Sequence, residues 1–169
     1  MGGQIALSGA LIGAATLAAA QDVPALAMAR FADHCFSPFL TAQKVTRLLD
    51  APDVRVEFYD LDPFSSVDPS PVTGRSATPG TDRRCEVAFD GAHAQAAKQA
   101  ALTALGKEGL DTPAAVPEAM ERTDGTALLA ARQLNPRRAA VVHVGTRPGP
   151  NGTETFMTVE RLMPSEPTH

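Results

Sequence analysis

The sequence predicts an α+β domain in which an antiparallel sheet packs on one principal helix, with helical segments at the N-terminus. Three observations predict it. Apolar and polar side chains alternate with period two near 54–59, 84–90, 139–147 and 154–162, the pattern of strands with one buried face. One long run, 92–107, sets Ala94, Ala97, Ala101, Leu102 and Leu105 on a single helical stripe and turns Gln95, Lys98, Gln99 and Lys107 away. Residues 25–50 are helical in composition and carry a break at Ser37-Pro38, because proline disfavours helix in the residue before it.

Residues 1–20 contain no charged side chain and are built largely from Ala, Leu, Ile, Gly, Ser and Thr. They read as the apolar region of a secretory signal peptide, although the usual basic residue at its start is missing. Ala18 and Ala20 form an A-x-A cleavage motif before Gln21, and Ala25 and Ala27 form a second before Met28, which would extend the signal to residue 27. The stretch is short for a span, which needs about 20 predominantly apolar residues, and Asp22 and Pro24 interrupt it. Membrane contact is therefore expected only through an uncleaved signal segment, and a single domain is expected over 28–163. The expected location is periplasmic or secreted.

Export sets the reading of Cys35 and Cys85, the only two cysteines. In an oxidising compartment an even pair reads as a disulfide, and neither residue belongs to a C-x-x-C motif. Cys85 alternates with Val87 and Phe89, so its sulfur belongs on the apolar side of a strand. Cys35 sits among Phe31, Phe36 and Phe39.

The remaining elements follow in order. A second short helix over 41–49 has Thr41 as its N-cap and Val45, Leu48 and Leu49 as its buried side. A strand over 54–59 leads into 62–82, rich in Pro, Ser, Thr, Gly and Asp, which reads as a long surface loop. The strand over 84–90 precedes the principal helix, which Gly106 and Gly109 end. Residues 127–134 are good helix formers, yet they stand before a turn at Asn135-Pro136 and the strand 139–147. They are read as a strand, making a meander with 139–147 and 154–162. The tail 164–169 reads as flexible.

With 44% hydrophobic and 20% charged residues, the composition excludes a low-hydrophobicity disordered chain, a collagen repeat and a polytopic membrane protein. A net charge of −4 gives no overall attraction to nucleic acid, and none is expected as partner. Catalytic readings gather His34, Cys35, Ser37 and His93, but no G-x-S-x-G elbow is present, and a bridged cysteine supplies no thiolate. Asp60 and Asp62 lack the rest of a calcium loop and read as solvated acids; the histidines lack zinc spacing. No metal or other cofactor is expected. His143 reads as a partly buried sheet residue.

Arginine supplies 12 of the 15 basic residues. The doublets Arg83-Arg84 and Arg137-Arg138, together with Arg147, are candidate anion-binding residues, since the planar guanidinium fork matches carboxylates and phosphates. Their plainer reading is charge that protects strand edges from aggregation. The functional expectation is an exported, disulfide-stapled, non-enzymatic binding or interaction protein. It would take an unknown protein or a small anionic ligand through loop 62–82 and these arginines. The alternative is a small hydrolase using His34 or His93 with a nearby carboxylate.

Overall fold

A computed structural model describes residues 22–64 and 66–163. The expected signal segment 1–20 and the tail 164–169 lie outside the described residues. Helix α1 (Val23–His34) opens on Asp22, whose side chain accepts a 3.3 Å hydrogen bond from the amide of Ala25. Pro24 occupies the first turn, where its missing N–H leaves no bond unmade. Ala27, Phe31 and Cys35 recur every fourth residue and are buried, which fixes the inward face. The helix stops before Ser37-Pro38, and Thr41 caps α2 (Ala42–Leu48) through its hydroxyl.

The strands are β1 (Val54–Asp60), β2 (Thr81–Asp90), β3 (Pro113–Ala114), β4 (Thr126–Asn135), β5 (Arg138–Gly149) and β6 (Gly152–Leu162), with α3 (Ala94–Lys107) between β2 and β3. They form one sheet in the order β1-β2-β6-β5-β4-β3, with every neighbour antiparallel. The meander β4-β5-β6 returns β6 beside β2, so both are interior strands, and they are buried along nearly their whole length.

The opposed pairs Val54–Phe89, Val56–Val87 and Phe58–Cys85 continue across β6 as Met157 and Val159 and across β5 as Val142 and Val144. This apolar face meets α1 and α3 and forms the principal core. Burial of one such aliphatic side chain is worth roughly 1.5–3 kcal/mol.

Several expectations need correction. The domain has no single principal helix: α1 and α3 are 12 and 14 residues long and pack against each other as well as the sheet. Helix α3 begins at Ala94 rather than 92 because the preceding backbone is tied to β6. The amide of His93 donates to Thr155 Oγ1, and that hydroxyl donates to the Gly91 carbonyl. At the other end Gly109 takes φ 66°, and the amide of Leu110 closes on the Leu105 carbonyl. Strand β2 begins at Thr81, and the two-residue β3 adds an unforeseen edge beside β4.

Candidate functional site

Beyond its apolar centre the helix-facing side of the sheet ends in charge. Arg83, two residues before Cys85, and Arg161 are directly opposed on β2 and β6. Arg161 donates from Nε to Asp82 Oδ1 at 2.7 Å, and from Nη2 to Asp60 Oδ1 at 2.8 Å and the Asp62 carbonyl at 2.6 Å. Arg83 donates from Nη2 to the Ser37 carbonyl at 2.7 Å, while its Nη1 stands 3.6 Å from Asp60 Oδ2. Arg138 joins the cluster from β5, bonding Asp62 and standing 3.6 Å from Asp82. Burial, helped by Arg161, lowers the Arg83 guanidinium to about 10 despite Asp60 and Asp82. Burial also opposes the charge of Arg161, but its bond to Asp82 and the charges of Asp60 and Asp82 outweigh that and raise it.

Between this cluster, the segment after α1 and the end of α3 lies a cavity of about 310 Å³. Its apolar wall comes from Phe36, Phe64, Leu110, Leu134 and Val159. Its charged lining is Arg83, Arg138, Arg161 and Glu108, whereas Asp60, Asp62 and Asp82, the ion-pair partners of these arginines, are not among the lining residues. Three arginines and one glutamate therefore border the cavity, although the surrounding charges nearly balance. Arg138 and Arg161 each keep an Nη1, and Arg83 its Nε, without a hydrogen bond among the described residues, so donors remain for a ligand. Phe64, 72% exposed, stacks edge-on against Phe39 at 5.6 Å and brings loop 62–82 to the mouth. The disulfide between Cys35 and Cys85, with Cα atoms 5.5 Å apart, anchors the chain just before Phe36 and Pro38.

The five candidate arginines do not form one patch. Arg83 and Arg138 meet at this cavity, and Arg137 is exposed in the turn between β4 and β5. Arg84 and Arg147 belong to the opposite face of the sheet. The Arg84 side chain is wholly buried; it donates to Glu160 at 3.2 Å, to the carbonyls of Arg75 and Ser76, and to Thr78. It fastens the second half of loop 62–82 onto the sheet and has no surface to offer a ligand. Arg147 bridges Glu86 and Glu154, each at 2.6 Å, above the ring of Phe156.

The reading of Asp60 as a solvated acid is overturned, since it is 3% exposed and bound by Arg161. Arg161 escaped sequence reasoning. Its partner Asp82 lies 79 residues away, and nothing local marks the pair.

The hydrolase residues stay apart. His34 ends α1, and His93 is exposed at the N-cap of α3 beside Phe89. Neither makes a hydrogen bond or ion pair with a carboxylate among the described residues, where no cluster of metal-ligating side chains is found either. No helix among the described residues is long and apolar enough to cross a membrane. Comparison with known protein families, characterised proteins and solved structures gives no match.

Proposed function

We propose that this chain is an exported, non-enzymatic binding protein of the periplasm or extracellular space, whose cavity between helices and sheet takes a small amphipathic anion. The observation that carries the reading is the uneven charge of the lining: three arginines and one glutamate border the cavity, while the aspartates paired with those arginines are not among the lining residues. A carboxylate or comparable anion would sit on Arg138 and Arg83, with its apolar body against Phe36, Phe64 and Leu134. Buried arginines of this kind bind anions strongly because their water has already been displaced and their geometry is fixed. Export is supported by the uncharged N-terminal segment and by the Cys35–Cys85 bond.

An anionic naphthalene sulfonate dye tests the reading, and the absence of Trp keeps the protein's own emission low. The dye is expected to brighten on binding and to be displaced by octanoate but not by octylamine. Equal displacement by both, or none by octanoate, would refute the proposed ligand class.

A further inference from the structure

The sheet face turned away from the helices holds a second cavity, of about 290 Å³, which the first function does not use. It is bordered by Arg75 and Thr78 of the long loop and by Ala119, Met120, Glu121 and Thr123. Its floor includes His143, Phe156 and Thr158. Where the first cavity sets three arginines against one glutamate, this one is lined by two arginines and three glutamates: Arg75 and Arg147 against Glu86, Glu121 and Glu160.

Arg147 uses Nε on Glu154 and Nη2 on Glu86, leaving Nη1 without a partner among the described residues. Arg75 uses Nη2 on Glu86 at 2.5 Å, while its Nε stands 3.8 Å from Glu57, beyond bonding distance. On the acid side, Glu86 Oε1 accepts only from Arg147, and Glu160 Oε2 only from Thr81, among the described residues. A carboxylate oxygen has two lone pairs, so acceptor capacity remains on both. Glu86 and Glu160 are buried, and in such surroundings a charge-assisted bond to a ligand is strengthened. Met120, Val141 and Phe156 supply the apolar part of the lining.

A purely anionic ligand would meet three carboxylates here, and a purely cationic one two guanidiniums. A dipolar ligand satisfies both sets. We propose that this cavity is a second binding site, for a zwitterion with a small apolar body, of the free α-amino acid class. Its carboxylate is held by Arg75 and Arg147, its ammonium by Glu160 and Glu121, and its side chain lies against Met120.

Calorimetric titration of the full chain with L-leucine, N-acetyl-L-leucine and L-leucinamide, each in the presence of saturating octanoate to fill the first cavity, tests the assignment. L-Leucine is expected to bind, and removal of either charge is expected to weaken binding by about tenfold or more, the worth of one charge-assisted hydrogen bond. Arg147→Gln should weaken L-leucine by a similar factor. Should that variant fail to fold, Glu121→Gln, on an exposed loop, should weaken L-leucine while leaving N-acetyl-L-leucine unaffected. Arg138→Gln, at the other cavity, should leave L-leucine binding intact. The proposal is overturned if L-leucine gives no saturable heat, if either blocked analogue binds as tightly, or if Arg138→Gln abolishes the leucine signal.

Discussion

Arg84 and Glu160 occupy directly opposed positions on β2 and β6, and the guanidinium donates from Nε to Glu160 Oε1 at 3.2 Å. With Arg84 wholly shielded from solvent, its other nitrogens hold the carbonyls of Arg75 and Ser76. One buried cation therefore ties the sheet centre to the long loop.

Replacing Arg84 with Met should leave Glu160 without this partner and free the loop. Breaking a buried ion pair on one side typically costs about 3–5 kcal/mol. Urea denaturation should show a loss of that order, and limited proteolysis should find new cleavage within 66–80. Unchanged stability would mean that the pair contributes little.

The disulfide closes a sequence separation of 50 residues, for which chain entropy gives roughly 4 kcal/mol. The double variant Cys35→Ala and Cys85→Ala should lose a large part of that stability, and reduction of the native protein should do the same. Because Phe36 and Pro38 line the first cavity directly after Cys35, ligand binding should weaken as well. A double variant as stable as the native protein would remove the staple from the explanation of the fold.

Two groups on the sheet face opposite the helices set the expected acid response. Burial alone would raise the Glu86 carboxyl, but the charges of Arg147 and Arg75 and hydrogen bonds from Arg147 and Thr158 outweigh it and hold it low. A depressed carboxyl pKa contributes stability that is present above the unfolded value, about 4.3, and is lost as pH falls below it. His143 is held below its usual value by burial, with Arg122 and Arg75 adding to this and Glu160 and Glu86 opposing it. Its contribution is present above about 6.5 and is lost as pH falls toward the folded value. Urea midpoints should therefore decline in two stages on acidification. His143→Gln should flatten the upper stage and Glu86→Gln the lower. Parallel pH profiles for native protein and both variants would contradict these assignments.

Phe64 separates stability from binding. Being 72% exposed, it should accept Phe64→Ser with a stability change within about 0.5 kcal/mol, while octanoate affinity falls as the cavity loses its outer wall. Equal affinity in native and variant protein would remove the loop from the site.

Much of the architecture was legible because it rests on local periodicity. The alternation through Val54, Val56 and Phe58 and through Cys85, Val87 and Phe89 marks two strands and the face on which the sulfur lies. The Thr41 cap and the Ser37-Pro38 break mark the N-terminal helices. What could not be read was pairing at a distance. Thr81 and Asp82 read as the end of the long loop and Arg83 as lying just outside the strand, yet all three are buried strand because Arg161, Glu160 and Asp60 lie opposite or beside them. For the same reason the arginines resemble one patch in sequence and belong to two faces in space. Adjacent strand residues such as Arg83 and Arg84 necessarily point to opposite sides.

The most direct measurement is calorimetric titration of octanoate into native protein and the Arg138→Gln variant. Arg138 is only partly buried, so its replacement should leave the fold in place. Saturable binding by the native protein, weakened about tenfold or more in the variant, is the expected result. Absence of binding to native protein, or identical affinity in the two, would contradict the reading of this cavity as a site for an amphipathic anion.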